Sequence, residues 1–136
     1  LNHEMEHAVA CVRQFMINCL AQIKNLPDIQ KDDMILDIGP KTISLINSIL
    51  DNSKTVLWNG PAGYFENCNF AVGSLEIAKK IVSLSNQIYS VAGGGDTIAV
   101  INQINAFKKL NFVSTAGGAF LEYLEGKQIP GIRALN

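Results

Sequence analysis

Ile88-Tyr89-Ser90-Val91-Ala92-Gly93-Gly94-Gly95-Asp96-Thr97 is the stretch on which the reading of this chain turns. An apolar run of strand length enters three successive glycines, and a helix over 97–104 follows. Glycine lets the backbone come close to a ligand because no Cβ is in the way. The first turn of a helix presents unpaired N–H groups at the positive end of its dipole, which suits an anion. The plainer reading is that Asp96 or Thr97 caps the helix. Three glycines are more than a cap requires, since each costs conformational entropy on folding. A bare carboxylate beside a phosphate repels it unless a cation lies between them, so Asp96 implies Mg²⁺.

Two further turns of the same kind flank this one. Trp58-Asn59-Gly60-Pro61-Ala62-Gly63-Tyr64-Phe65-Glu66 follows a strand over 55–58, and Ser114-Thr115-Ala116-Gly117-Gly118-Ala119 follows a strand over 111–114. Asn59 can donate to a phosphate or stabilise its turn, and Gly60, preceding a proline, is expected to be extended. Glu66 can hold a ribose hydroxyl or be a solvated loop charge. Gly117 and Gly118 can open an anion-binding helix or allow close helix–sheet packing. A further strand over 34–38 and helices over 42–50, 71–84 and 118–124 complete a βα series, and the tail around Pro130-Gly131 reads as irregular. Strands alternating with helices predict an α/β fold, a Rossmann-like three-layer parallel sheet with helices on both faces. Ligands of such sheets bind at the carboxyl ends of the strands, where all three turns fall.

At the start of the chain, apolar residues at helical spacing over 5–23 predict an amphipathic helix, followed by a loop through Pro27 to residue 33. The whole of 1–136 is close to the size of one ordinary domain, with 1–33 a helix and loop carrying no placed motif. With 48% hydrophobic and 17% charged residues the chain can build a core, and a formal charge of −1 supplies no case for nucleic acid or an anionic membrane surface. No apolar run is long enough to span a bilayer and no signal peptide is apparent, so a cytoplasmic location is expected. Cys11, Cys19 and Cys68 have neither framework nor C-x-x-C spacing and are expected to be buried thiols.

Two motifs fail on inspection. His3-Glu4-Met5-Glu6-His7 fits H-E-x-x-H, which sets two imidazoles one helical turn apart for zinc. It lies where helices fray, and there is no third histidine, so adventitious metal at His3 and His7 is the better reading. Gly39-Pro40-Lys41-Thr42 lacks the glycines of a P-loop.

Asp37-Ile38-Gly39-Pro40-Lys41-Thr42, Trp58-Asn59-Gly60-Pro61 with Phe65-Glu66, Gly93-Gly94-Gly95-Asp96-Thr97, Ser114-Thr115 with Gly117-Gly118-Ala119, and Pro130-Gly131-Ile132 occur in the order seen in phosphoglycerate kinases. Residues 34–136 resemble the carboxyl-terminal, nucleotide-binding domain of that family, which implies that 1–136 is a single partial nucleotide-binding domain. The resemblance implies a glycolytic kinase passing a phosphoryl group between 1,3-bisphosphoglycerate and Mg·ADP to give 3-phosphoglycerate and ATP. It implies that Glu66 holds the ribose, that Gly94, Gly95 and Thr97 meet the phosphates, and that Asp96 engages Mg²⁺. Asn59 would lie against the phosphates of ADP or ATP, and Gly117 and Gly118 near the transferred group. The family's lysine at the opening of this domain and its basic amino-terminal lobe have no counterpart among these residues, which include only two arginines, Arg13 and Arg133. Ile35 stands where the family has glycine beside the adenine, and Ala116 replaces a glycine. The chain is therefore expected to carry the nucleotide half-site and to be inactive alone, binding 3-phosphoglycerate only if the missing lobe is supplied. The family resemblance implies a monomer, whereas a sheet shortened to these strands has an exposed edge and is expected to self-associate. A non-catalytic nucleotide-binding module and a structural remnant are the alternative readings.

Overall fold

The computed structural model describes the backbone of residues 7–12 and 21–135 and the side chains of 21–135. Strands β1 (His7–Val12), β2 (Ala21–Asn25) and β3 (Asp33–Ile38) form an antiparallel sheet in the order β2-β1-β3. β1 faces β2 from His7↔Asn25 to Cys11↔Ala21, and faces β3 with a register slip between Val9 and Ala10. The helix expected over 5–23 is thus replaced, in its described parts, by two strands. Short apolar runs such as His7-Ala8-Val9-Ala10-Cys11-Val12 satisfy helical and strand patterns alike, and pairing with β3 decides between them. His3 lies outside the described residues, and the backbone of His7 is extended, not helical as the H-E-x-x-H reading needs. Cys19 also lies outside the described residues.

After β3 the chain alternates as expected: α1 (Pro40–Asp51), β4 (Thr55–Asn59), α2 (Val72–Ser83), β5 (Tyr89–Gly93), α3 (Gly95–Gln103), β6 (Phe112–Ser114) and α4 (Gly118–Leu124). A short α5 (Pro130–Arg133) replaces the irregular tail, with proline at the helix start, where its missing N–H is not needed. β4, β5 and β6 are parallel, in that order, so β4 and β6 are edges. β3 leads into α1 as a βα unit but belongs to the antiparallel sheet.

The parallel register sets Trp58, Ala92 and Val113 in one row. These face Ile77, Ala78 and Ile81 of α2 and Val100 and Ile101 of α3, which make up most of the core. The buried Trp58 indole donates to Gly60 O at 2.8 Å, so the core holds no unpaired N–H there. Leu57, Val91 and Phe112 form the row on the other face, where Phe120 of α4 packs beside Phe112 with ring centroids 6.1 Å apart. Helices therefore lie on both faces, α2 and α3 covering the first, while Leu57 and Phe112 on the second stay about half exposed. Cys68 is exposed rather than buried, because Phe70 takes the inward place in the same 3-10 turn.

Candidate functional site

Parallel pairing puts Asn59, Gly93 and Ser114 opposite one another at the carboxyl edge of the sheet. The three glycine turns therefore leave the sheet side by side, and specific contacts join them. Gly60 N donates to Thr97 Oγ1 at 2.7 Å, linking the first turn to the second. A Cβ built on Gly94 would stand 2.7 Å from Asn59 Oδ1, so the Asn59 amide lies directly against the triple glycine. A Cβ on Gly93 would meet the Phe120 ring at 2.9 Å, which brings the start of α4 beside the same turn.

Gly94 has φ 91 and Gly117 φ 56, the left-handed region in which glycine alone is unstrained. Gly60, expected to be extended before its proline, has φ 96 instead, a conformation that glycine reaches without cost. No side chain of the Gly94 or Gly117 cap position bonds the helix that follows, so α3 and α4 begin without a side-chain cap of their own. Ideal Cβ positions on Gly95 and Gly118 meet nothing within 4 Å, so the backbone there opens on space. Asp96 is exposed in the first turn of α3, where the helix dipole favours a carboxylate.

Thr97 is fully buried, and its hydroxyl accepts from Gly60 N. Glu66 is exposed, on the part of the loop tied to β3 by the Tyr64 N to Leu36 O bond of 2.7 Å. Between β3 and this loop lies a cleft of about 350 Å³, with Ile35, Leu36 and Ile38 on one side and Pro61, Ala62 and Tyr64 on the other. Ile35 and Tyr64 are each about half exposed on it, at 51% and 45%. The arrangement offers an apolar slot next to a row of backbone donors, a combination that suits a heteroaromatic phosphate ester.

Three residues to which the sequence alone assigns no role hold the loop. Ser74 Oγ, fully buried, accepts from Ala62 N at 2.9 Å. Gly63 fits where a Cβ would come within 2.6 Å of Leu36 O and Phe70 O and 2.5 Å of Asp37 Oδ1. Asp37, only 2% exposed, accepts from Gly73 N and Ile38 N, each at 2.8 Å. Ala71 provides no side-chain cap for α2, so the Asp37 carboxylate at the helix start serves that end from another element. A carboxylate inside the apolar run Met34-Ile35-Leu36-Asp37-Ile38 was the signal for it.

Burial pushes the Asp37 carboxyl above the ordinary carboxylate value, against the opposing pull of the Gly73 and Ile38 amides. Between that ordinary value and its raised folded value, the folded chain keeps a proton that the unfolded chain has released. This group's contribution to stability is therefore largest below the unfolded value and falls as pH rises through the window. A carboxyl ¹³C titration is expected to place the Asp37 midpoint above 3.8. Asp37→Asn should remove this segment from the pH dependence of urea unfolding.

Among the described residues no group of three His, Cys, Asp or Glu side chains is placed to hold a metal ion. No helix among them is long and apolar enough to cross a membrane.

Comparison with known proteins adds the following. A family model described as phosphoglycerate kinase matches residues 3–127, which extends the likeness upstream of the motif-bearing part. The phosphoglycerate kinase of Vibrio campbellii is 45% identical over 127 residues, covering 93% of this chain and 32% of that protein. That of Francisella philomiragia is 46% identical over 127 residues, with the same coverage of 93% and 32%. The structure of phosphoglycerate kinase from Coxiella burnetii superposes with a TM-score of 0.82 at 36% identity, over 94% of this chain and 33% of that one. That of phosphoglycerate kinase from Pyrococcus horikoshii does so with a TM-score of 0.74 at 30% identity, over 93% and 31%. The chain thus spans about a third of the length of the curated relatives it matches.

Proposed function

The chain belongs to the phosphoglycerate kinase family, and from that premise we propose that it carries the nucleotide half of a phosphoryl-transfer site. The reaction is the exchange between 1,3-bisphosphoglycerate and Mg·ADP that yields 3-phosphoglycerate and ATP in glycolysis. The observation that carries this reading is the convergence of three glycine turns on the start of α3, which has no side-chain cap.

The residues present fit a nucleotide with its magnesium ion. The exposed N–H groups of Gly95 and Asp96 at the start of α3 bind phosphate oxygens, with Gly94 keeping Cβ atoms out of the way and the buried Thr97 holding the neighbouring turn through Gly60. The Asn59 amide adds a side-chain donor from the adjacent strand. The exposed carboxylate of Asp96 would hold the ion. When bound, magnesium supplies charge neutralisation on the phosphates. Glu66 holds the ribose, and the cleft between β3 and the loop takes the base beside Ile35 and Tyr64. Gly117 and Gly118 present the start of α4 to the group in transfer. Positioning both substrates supplies much of catalysis, and the residues here account for one of them. The chain alone therefore binds without turnover, and gains 3-phosphoglycerate chemistry only with a complementing lobe.

Calorimetric titration with Mg·ADP tests this. Saturable binding is expected, weakened about tenfold by Asp96→Ala, the order expected for losing one charged contact. No heat and no thermal stabilisation would leave the family membership standing and remove the function. Turnover of 3-phosphoglycerate by the purified chain would remove the half-site reading instead.

A further inference from the structure

The loop from Asn59 to Glu66 is tethered in two places that belong to different elements. Tyr64 N donates to Leu36 O of β3 at 2.7 Å, and Ala62 N donates to Ser74 Oγ of α2 at 2.9 Å. The residues next to these two anchors, Asp37 and Gly73, are themselves joined by the 2.8 Å bond from Gly73 N to Asp37 Oδ2. Gly63, between the two tethers, sits where its Cβ would strike Asp37 Oδ1. One buried carboxylate thus closes a frame in which β3, the start of α2 and the loop hold one another. The other end of the loop has a separate anchor, the bond from Gly60 N to Thr97 Oγ1 of α3.

We propose that Asp37 is a positioning residue for nucleotide binding: it fixes the ribose and base side of the site, through the loop that bears Tyr64 and Glu66, and leaves the phosphate cradle at 94–97 to α3. This rests on the nucleotide reading above, and it adds a division of labour that the glycine motifs do not contain. Asp37 is among the residues lining the cleft but is only 2% exposed, and its carboxylate oxygens are engaged by the Ile38 and Gly73 amides, so it acts through the loop. Asn at this position keeps the size of the side chain but only one accepting oxygen, so one of the two amide bonds from Gly73 and Ile38 is lost. The loop then loses the register of one tether relative to the other.

The test compares two probes, Mg·ADP and Mg·pyrophosphate, on the wild-type chain and on Asp37→Asn. Mg·ADP affinity is expected to fall about tenfold, the scale of a buried donor left unpaired, with Mg·pyrophosphate unchanged within about twofold. A merely structural role would weaken both probes together, and that result overturns the proposal, as does an unaltered affinity for Mg·ADP. A wild-type chain that binds neither probe takes down the nucleotide reading, and this inference with it. Should Asp37→Asn fail to fold, amide NMR of the wild-type chain decides. Mg·ADP should shift the Tyr64 and Gly73 amides along with those of Gly95 and Asp96, and Mg·pyrophosphate only the latter pair. The same set shifting with both probes overturns the proposal.

Discussion

Gly63→Ala is expected to destabilise the chain by about 3 kcal/mol, lowering the melting temperature by about 10 °C for a chain of this size. The added methyl would lie 2.5 Å from Asp37 Oδ1 and 2.6 Å from both Leu36 O and Phe70 O. Two of these oxygens are backbone carbonyls, on β3 and on the turn before α2, and neither moves without disturbing its element. Asp37 is 2% exposed and held by two amides, so it has little room to turn away. Gly131→Ala is the matched control: its Cβ meets nothing within 4 Å, it sits in α5, and alanine is the better helix former. That variant should melt within a few degrees of wild type, on the scale of about 0.5 kcal/mol. Thermal melts of the two variants side by side decide the matter. Equal midpoints would mean that the loop does not pack on Asp37 as described.

Gly94→Ala should act on ligand affinity more than on stability. At φ 91 an L side chain is strained whatever the space around it, at a cost of about 1–2 kcal/mol. The contact with Asn59 Oδ1 adds less, because Asn59 is an exposed side chain that can swing aside. Both responses harm the site. Relaxing φ turns the N–H groups of Gly95 and Asp96 away from the cradle, and moving Asn59 withdraws its amide. Mg·ADP affinity is expected to drop about a hundredfold, in line with the loss of a preorganised donor set. Calorimetry and a thermal melt on the same sample separate the two effects. An affinity within threefold of wild type, alongside the expected loss of stability, would show that the second turn is not the phosphate cradle.

Local pattern carried a large part of the fold. The strand-to-turn-to-helix series from β4 to α4 was legible because glycine clusters punctuate runs of clear period. The eventual elements α2 and β5 differ from expectation only at their ends. The first part of the chain was not legible in this way. A run such as that of β1 is too short for periodicity to separate helix from strand, and its pairing with β2 and β3 decides the matter. The outward thiol of Cys68 has a similar cause: composition predicts that cysteines are buried on average, but the 3-10 turn has one inward place, and Phe70 takes it.

The candidate site divides along the same line. Sequence by itself determined the chemistry available: glycine clusters after three strands, Asp96 at a helix start, Asn59 and Glu66 in one loop, and the order of motifs that marks the family. These are properties of residue types and of short spacings, which the chain states directly. Only the tertiary structure decided which of those groups meet. Parallel register puts Asn59 beside Gly93 and Ser114, although 34 and 21 residues, respectively, separate neighbours along the chain. It turned the Thr97 hydroxyl inward to Gly60. It also recruited Asp37, Gly63 and Ser74 to hold the loop. The physical reason is that hydrogen bonds and close contacts between residues distant in sequence depend on how sheets and helices stack, and a buried carboxylate reveals its partners only once that stacking brings them within reach.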